Sequence, residues 1–494
     1  MYFVSSPNAF TKSLPRPAVE EVSLKAKEET LKMKGIILLA ACAILMICTT
    51  LIFTRRSKNI ESFHVANRKL GTFSSAMSIA ATWIWAPALL VSAEQAYKNG
   101  LPGLFWFLVP NVLCLLIFIP FAKRIRKDMP HGITLSGYMG EKYKSKKVKG
   151  VYIALLGGLS ILSTGVQLLA GAKIITMVTD LPFFAVTVAL ALITFLYSQF
   201  SGIRASVMTD VVQMLIMLVG CALFVPWALS SGSGLQDFVA GISNSTKSGL
   251  FSEHGISVLL SFGLPTAIGL ISGPFGDQCF WQRAFATRSS KIGKAFTLGS
   301  AIFAIIPLSM GVLGFVASGN GSFIPTDTGI VNLELIQRLF PAWATLPFVC
   351  MLIAGLMSTL DSNLCAVASL TTDITDKPSL GKSKVAMAIL LVVGIGIANI
   401  PGLTVTHLFL IYGILRATTL IPTVLTLKGK NLTANAVFSA VLSALCIGFP
   451  LFAIGTLRNI SALKIVGCVS VLLIGLVTSL VVSKIESRKE AANQ

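Results

Sequence analysis

The sequence predicts an all-α polytopic membrane protein that crosses the bilayer about 13 times. Of its 494 residues, 54% are hydrophobic and only 12% are charged, and the mean hydropathy is +0.80. A water-soluble globule needs more charged residues to cover its surface. The apolar residues also fall in runs of roughly 20, the length that a helix needs to cross the hydrocarbon core.

Each apolar run is one predicted transmembrane helix. The predicted spans cover residues 34–54, 72–96, 102–122, 149–176, 181–200, 205–228, 256–279, 294–317, 345–372, 384–401, 404–427, 434–456 and 462–483. A polar N-terminal tail (1–33) without a signal-peptide pattern precedes them, and a short tail (484–494) follows. Because the number of spans is odd, the two ends are expected on opposite sides of the membrane.

The distribution of Lys and Arg predicts the orientation. One set of alternate connections, which includes Arg283, holds 27 of these residues and the other set holds six. Since cytoplasmic loops are the basic ones, the C-terminus is expected inside and the N-terminal tail outside. Topology thus accounts for the net charge of +20, and no nucleic-acid partner is expected.

Two predicted spans contain residues that interrupt helices. Span two (72–96) contains Pro87, and span seven (256–279) contains Pro265 and Pro274 among several glycines. Proline removes a helical hydrogen bond, so carbonyl groups there would be available to a ligand. Interrupted spans five apart predict an inverted repeat with a binding site at the repeat interface, although simple kinks are an alternative.

The repeat prediction divides the chain into parts. Residues 34–54 form an extra helix, and two further helices follow the repeats at 434–483. The two repeats are residues 72–228 (spans two to six) and 256–427 (spans seven to eleven).

Span nine (345–372) carries hydroxyl groups and a carboxylate in its middle. Gly355, Ser358, Thr359 and Ser362 lie at helical spacing and form one stripe, with Asp361 at its border. A charged Asp at the bilayer centre costs about 2.5 to 3.5 kcal/mol. We therefore expect Asp361 to face a cavity, a partner or a bound cation.

Four sequence blocks carry a family resemblance. They are FHVANRKLGTFSSAMSIAATW (63–83), YSQFSGIRASVMTDVVQ (197–213), FWQRAFATRSSKIGKAF (280–296) and AGLMSTLDSNLCAVASLTTDI (354–374). Their order and spacing resemble the sodium/solute symporter family of sugar, proline, pantothenate, sialic acid and urea carriers, over about residues 60–430. The resemblance implies a leucine-transporter-type five-plus-five inverted repeat with one extra N-terminal helix, working by alternating access.

The resemblance also implies a main sodium site between spans two and nine. Its ligands would be the carbonyls of Ala80, Trp83 and Gly355 and the hydroxyls of Ser358 and Thr359. About five oxygen atoms without fixed charge suit a hard cation that must also be released. Without the resemblance, these hydroxyls are better explained by hydrogen bonds within and between helices.

A second cation or proton site is expected one turn further along span nine. In sialic-acid carriers of the family a second sodium lies beside an Asp that corresponds to Asp210, and here its neighbours would be Ser358, Asp361 and Ser362. The carboxylate of Asp361 replaces a serine of those carriers. Two close carboxylates do not both ionise without a cation, so the site would hold sodium or a proton, or Asp361 accepts hydrogen bonds alone.

Candidate solute ligands line the predicted repeat interface. The acid and amide side chains of sugar carriers are absent from span two, which disfavours a hexose. Its tryptophans suit a flat polar solute, and the alternative is that they face lipid or pack between helices. The candidates are Thr82, Trp85, Pro87, Trp106, Asn111, Gln167, Thr266, Tyr412 and Arg416. Arg416, taken as the one basic residue inside a span, would bind an anionic solute group, pair with Glu94 or extend to the surface.

The predicted function is sodium-coupled symport of a small polar organic solute, with one sodium ion or two and no organic cofactor. The alternatives are a passive facilitator, a transporter-like sensor, and a proton-coupled symporter that uses Asp361 and Asp210. No catalytic motif is present, so an enzyme is not expected. The expected location is the plasma membrane, or the inner membrane of a bacterium, and the protein is expected to act as a monomer.

Overall fold

The computed structural model describes residues 18–57, 59–244 and 249–492. Residues 1–17 of the predicted tail lie outside the described residues, as do two basic residues used for the orientation, Lys58 and Lys247. In the described part the regular structure is helical, and one isolated parallel β-bridge joins Leu70 and Thr287. The predicted all-α class is confirmed.

The helices are numbered along the chain. The first nine are α1 (Ala18–Phe53), α2 (Ile60–Val65), α3 (Thr72–Trp83), α4 (Ala86–Asp128), α5 (Leu135–Tyr143), α6 (Lys146–Thr179), α7 (Phe183–Ser201), α8 (Ile203–Ser230) and α9 (Gly234–Ile242). The next seven are α10 (Glu253–Val258), α11 (Leu264–Ile271), α12 (Gly273–Gly276), α13 (Gln278–Ala286), α14 (Ile292–Gly319), α15 (Val331–Leu339) and α16 (Ala342–Ile374). The last five are α17 (Leu380–Ala398), α18 (Val405–Leu427), α19 (Ala434–Ser443), α20 (Phe449–Leu457) and α21 (Ser461–Ala492).

Twelve helical segments of the described part are long and apolar enough to cross a membrane, compared with about 13 predicted spans. The difference lies in predicted span two, which is divided between α3 and the start of α4. Helix α4 then continues into predicted span three through Gly100, whose φ of +62° is readily available to glycine. The predicted count is therefore approximate.

Two helices extend beyond the predicted span boundaries. Helix α1 begins at Ala18, so the later part of the predicted polar tail is continuous with the first span. Helix α21 runs to Ala492, so most of the predicted C-terminal tail is helical.

The predicted interruption of span two is confirmed. Helix α3 ends at Trp83, and Ile84 and Trp85 have ψ angles of 82° and 178° before α4 begins at Ala86. Pro87 lies in the first turn of α4, where a missing N–H leaves no helical hydrogen bond unmade. The proline therefore begins the second half of the span.

Span seven is interrupted near its predicted end. Helices α10 and α11 are joined by a π-helical turn at Leu259–Gly263. After the single turn of α12, Asp277 is extended (φ −118°, ψ 115°), and its carboxylate accepts the Cys279 N–H at the start of α13 (2.9 Å). The chain of span seven thus continues to Ala286, beyond the predicted end.

The two interrupted helices meet in the protein core. Trp83 at the end of α3 contacts Phe280 of α13 edge-on, with ring centroids 5.0 Å apart. A Cβ on Gly273 would lie 2.2 Å from Trp83 Cη2, so a glycine is needed for this approach. Helix α16 packs beside them, against α6 and α8. The breaks of both predicted repeats therefore lie next to each other.

The short helix α2 contributes a buried histidine. His64 is 1% exposed, its carbonyl accepts a side-chain N–H of Gln282 (2.8 Å), and its Nε2 lies 3.3 Å from Ser383 Oγ. Burial lowers the pKa of His64 from 6.5 to about 4. The folded state therefore resists protonation of this side chain.

This lowered pKa predicts acid destabilisation. Above pH 6.5 His64 is neutral whether folded or unfolded, and stability is lost as the pH falls from 6.5 towards 4 because the unfolded state binds the proton more readily. We expect the free energy of unfolding to fall by about 3 kcal/mol across this window. Melting temperatures in detergent measure it, and His64→Gln should flatten the pH dependence while the exposed control His131→Gln should not. An unchanged slope in His64→Gln would exclude this residue as the titrating group.

Candidate cation and solute site

Two backbone carbonyls at the break between α3 and α4 lack their usual helical partners. Pro87 has no N–H to donate to the Trp83 carbonyl four residues earlier. The Ala86 N–H, which would bond the Thr82 carbonyl in a continuous helix, donates to Gln167 Oε1 (2.9 Å). The break therefore presents carbonyl oxygens to its surroundings.

Two of the predicted sodium ligands, both on α16, face this break. Thr359 Oγ1 donates towards the carbonyls of Thr82 (3.2 Å) and Ile84 (3.4 Å). Gly355 permits the close approach, because a Cβ there would lie 2.8 Å from Leu89 Cδ1. The hydroxyl stripe of span nine thus reaches the helix that was expected to share its cation.

The other predicted sodium ligands make different contacts. The Ala80 carbonyl accepts the Ile84 N–H (2.9 Å) at the end of α3. The second lone pair of this oxygen is available to a ligand. The Ser358 hydroxyl donates to Asp210 Oδ1 (2.5 Å) and not to the break. The structure brings the predicted residues into one region, and the five-ligand cage stays a prediction.

Asp210 is paired with a buried arginine. Arg283 Nη2 lies 3.0 Å from Asp210 Oδ2, and the two side chains are 1% and 0% exposed. The prediction that Arg283 belongs to a cytoplasmic connection is wrong, because α13 continues span seven into the core. For the same reason Arg416 is not the one basic residue within the bundle. The apolar neighbours of Arg283 in FWQRAF were the available signal for its burial.

Arg283 also joins the hydroxyl groups around Asp210. Its Nε donates to Ser78 Oγ (2.9 Å), and Ser78 donates to Asp210 Oδ2 (2.5 Å). Its Nη2 also donates to Ser362 Oγ (2.7 Å), which lies 2.9 Å from the Thr82 hydroxyl. Thr82, predicted as a solute ligand, therefore belongs to this polar network.

Asp361 is surrounded by hydroxyl groups. Its Oδ1 accepts from Ser206 (2.7 Å) and, at 3.4 Å, from Ser362. Its Oδ2 accepts from Tyr197 and Thr209, each at 3.0 Å. Asp361 is completely buried, and within the described residues it has no ion pair. A buried carboxylate of this kind is stabilised by a bound cation or by a proton.

These contacts divide the predicted second site into two parts. In the described part of the chain, no hydrogen bond joins the side chains of Asp210 and Asp361. Asp210 also has a cationic partner, Arg283, whereas Asp361 has none among the described residues. The hydroxyl groups that α7 and α8 supply to Asp361 were not predicted, although the sequence block 197–213 contains all three. The second cation or proton site stays a prediction.

Arg416 points into the repeat interface. Its Nη2 lies 2.9 Å from Asp277 Oδ2, to which the Tyr412 hydroxyl also donates (3.1 Å). Its guanidinium group lies over the rings of Tyr412 and Trp85, 3.8 and 5.3 Å from their centroids. Asp277, which sequence reasoning missed, is thus its partner in place of Glu94.

Most predicted solute ligands have buried polar atoms that lack a hydrogen-bond partner within the described residues. These atoms are Trp85 Nε1, Trp106 Nε1, Asn111 Oδ1, Gln167 Nε2, Thr266 Oγ1 and Arg416 Nε. An unpaired buried polar group costs about 1 to 3 kcal/mol. Four of the six atoms are N–H donors, which a ligand with acceptor groups would satisfy.

Hydrogen bonds join neighbouring helices on both sides of the site. At one end Thr406 donates to Glu94 Oε2 (2.9 Å), which joins α18 to α4. At the other end Ser136 donates to Asp373 Oδ2 (2.6 Å), and the Leu70 N–H donates to the Ala286 carbonyl (3.2 Å). In this arrangement Trp85, Tyr412 and Arg416 are each at most 2% exposed.

Comparison with known proteins gives consistent matches along most of the chain. The model of the sodium:solute symporter family matches residues 63–444. A urea–proton symporter of Oryza sativa subsp. japonica is 23% identical over 436 residues, which cover 78% of this chain and 60% of the relative. The sodium/pantothenate symporter of Escherichia coli (strain K12) is 24% identical over 448 residues, which cover 85% of this chain and 90% of the relative.

A solved structure has the same fold. The substrate-bound, outward-open structure of a Na⁺-coupled sialic acid symporter matches with a TM-score of 0.72 at 15% identity, covering 90% of this chain and 97% of that one. The urea transporters that match are longer proteins, and the chain spans 39% to 60% of their length.

Proposed function

The chain belongs to the sodium:solute symporter family, and we propose that it is a secondary active transporter that couples entry of a small polar organic solute to sodium. The matching relatives are transporters, not enzymes. The observation that carries the proposal is the break between α3 and α4, where freed carbonyls meet the Thr359 hydroxyl.

The proposed main sodium site uses oxygen atoms from both sides of this break. Its ligands are the carbonyls of Ala80, Trp83 and Gly355 and the hydroxyls of Ser358 and Thr359. A hard cation prefers such oxygens, and a site without fixed charge also releases it. For the ion to bind, the Ser358 hydroxyl would turn from Asp210 to present its oxygen.

A second coupled cation is proposed at Asp361. The four hydroxyl groups of Tyr197, Ser206, Thr209 and Ser362 surround this carboxylate and offer lone pairs to a sodium ion. The same carboxylate carries a proton equally well, which makes proton coupling the second candidate. Asp210, whose charge is matched by Arg283 at 3.0 Å, is less suited to hold an additional cation.

The number of coupled ions decides how far the solute is concentrated. One sodium ion supplies about 2.3 kcal/mol per 100 mV of membrane potential and about 1.4 kcal/mol per tenfold gradient. Together these energies sustain an inside-to-outside solute concentration ratio of about 500-fold. A second sodium ion would square this ratio.

The proposed solute is small, flat and neutral, with an acceptor such as a carbonyl group. Trp85, Trp106, Gln167 and Arg416 offer unpaired N–H donors. The charge of Arg416 is already matched by Asp277 at 2.9 Å, which disfavours a carboxylate-bearing solute. Urea fits this chemistry, and one relative is named a urea–proton symporter.

Uptake by the purified protein in proteoliposomes tests the proposed function. We expect labelled urea to accumulate in sodium buffer with an inside-negative potential and not in choline buffer, and pantothenate and amino acids serve as comparison solutes. Accumulation driven by a pH gradient alone would favour proton coupling. Counterflow without accumulation under any ion gradient would instead show a passive facilitator, and ion-stimulated binding without transport would show a sensor.

The unpaired hydroxyl of Thr266 predicts a binding effect. Thr266→Val removes one hydrogen-bonding group and should raise the KM for the transported solute by about fivefold to tenfold, with a small change in kcat. Thr194→Val is the matched control, because Thr194 is buried too but its hydroxyl donates to the Leu190 carbonyl of its own helix (2.8 Å). An equal KM in Thr266→Val and the wild type would remove Thr266 from the solute site.

The remaining proposals concern location. We propose that the chain lies in the plasma membrane, or in the inner membrane of a bacterium, with its N-terminus outside and its C-terminus in the cytoplasm. Functional monomers are expected because both proposed sites lie within one bundle.

A further inference from the structure

We propose that a basic cavity at one end of the helix bundle binds the headgroup phosphate of an anionic phospholipid. The cavity has a volume of about 300 Å³ and lies where the end of α1, the start of α3 and the start of α8 meet. Its charged lining residues are Arg55, Lys69 and Arg204. None of these residues belongs to the proposed cation or solute sites.

Among the described residues, the three basic side chains have no counter-charge. Within the described part of the chain none of them makes an ion pair or a side-chain hydrogen bond, whereas the neighbouring Arg68 pairs with Glu61 (3.3 Å). Like charges around one cavity repel each other unless an anion lies between them. Guanidinium and ammonium groups bind phosphate oxygens through charge-assisted hydrogen bonds.

The position of the cavity favours a lipid over a free phosphate ion. The apolar span of α1 ends at Phe53, and α8 begins beside it at Ile203. Phe53 and Phe73 are each 59% exposed, and Ile52 is 73% exposed. These apolar surfaces would contact acyl chains while the cations reach the headgroup, as in other basic pockets between membrane spans.

A bound lipid would also act on the contact between the two interrupted helices. Leu70 lines the cavity, its N–H donates to the Ala286 carbonyl (3.2 Å), and its carbonyl accepts the Arg288 N–H (3.1 Å). A phosphate that binds Lys69 together with Arg55, after the end of α1, and Arg204, at the start of α8, would stabilise the contact between Leu70 and Ala286.

Native mass spectrometry of the purified full chain tests the assignment. The wild type and the triple variant Arg55→Gln, Lys69→Gln, Arg204→Gln are titrated with phosphatidylglycerol, phosphatidylcholine or inorganic phosphate. Each basic residue at the membrane surface raises the affinity for an anionic lipid about fivefold. The triple variant should therefore bind phosphatidylglycerol about a hundredfold more weakly. The control removes the same charge from exposed positions, with Lys127→Gln, Lys146→Gln and Lys147→Gln, and should bind as the wild type does.

Three outcomes would overturn the proposal. One is equal binding of phosphatidylglycerol to the wild type and the cavity variant, and another is an equal loss in the control variant. The third is binding of inorganic phosphate at the same concentrations as the lipid, which would identify a free-anion site. If the triple variant does not fold, the single variant Lys69→Gln, at an exposed position, is tested instead. It should bind phosphatidylglycerol about fivefold more weakly than the wild type.

Discussion

Replacing Arg283 by glutamine is expected to destabilise the protein by about 3 to 5 kcal/mol and to abolish sodium-driven uptake. The pair of Arg283 and Asp210 is fully buried, with 3.0 Å between Nη2 and Oδ2. Without the guanidinium, Asp210 keeps only the hydroxyl groups of Ser78 and Ser358 as donors within the described residues. A buried, uncompensated charge is far more costly than the loss of one contact.

Melting temperature in detergent and uptake in proteoliposomes measure this effect. Arg288→Gln removes an exposed arginine five positions later in the chain and should leave the melting temperature close to that of the wild type. Adding Asp210→Asn to Arg283→Gln should recover most of the lost stability, because the charge left unpaired is then also removed. A melting temperature of Arg283→Gln equal to that of the wild type would mean that the pair does not hold the bundle together.

Asp361→Asn is expected to remove one coupled charge per solute. The asparagine keeps the size of the side chain and an acceptor for the surrounding hydroxyl groups, but it can neither hold a proton nor attract a cation. If the lost ion is sodium, the limiting solute ratio should fall by about 500-fold at 100 mV and a tenfold gradient. If it is a proton at equal pH on both sides, the fall should be about 50-fold.

The charge-to-solute flux ratio in proteoliposomes checks this prediction directly. The dependence of that ratio on sodium and on pH identifies which ion is lost. Asp376→Asn removes an exposed carboxylate just beyond the end of α16 and should leave the ratio unchanged. An unaltered ratio in Asp361→Asn would reduce Asp361 to an acceptor of hydrogen bonds within the bundle.

Local sequence patterns were sufficient to predict the class and the main elements of the fold. Hydropathy located the spans, and prolines and glycines located both interruptions. The helical spacing of Gly355, Ser358 and Thr359 predicted that they share one face of α16, and Gly355 and Thr359 of that face lie against the break in span two. These features depend on residues close together in the chain, so a single sequence contains them.

The partners of the charged groups depend on contacts that are distant in the sequence. Asp210 and Arg283 are 73 residues apart, and Asp277 and Arg416 are 139 apart. No periodicity within one helix specifies such a pair. Arg283 was also misplaced for a local reason: an interrupted helix carries polar residues near its break, so the hydropathy of span seven ends before α13 does.

We propose that the coupled sodium ion binds between the hydroxyl stripe of α16 and the break in span two. The most direct test is uptake of the transported solute at fixed membrane potential, in sodium and in choline buffer, by the double variant Ser358→Ala, Thr359→Ala. Thr372→Ala is the control on the same helix, since its hydroxyl bonds the Ser369 carbonyl one turn earlier (2.8 Å). We expect the control to keep the sodium stimulation of the wild type and the double variant to lose it. Sodium stimulation in the double variant equal to that of the wild type, with the same half-saturating concentration, would show that the coupled sodium ion does not bind at these hydroxyls.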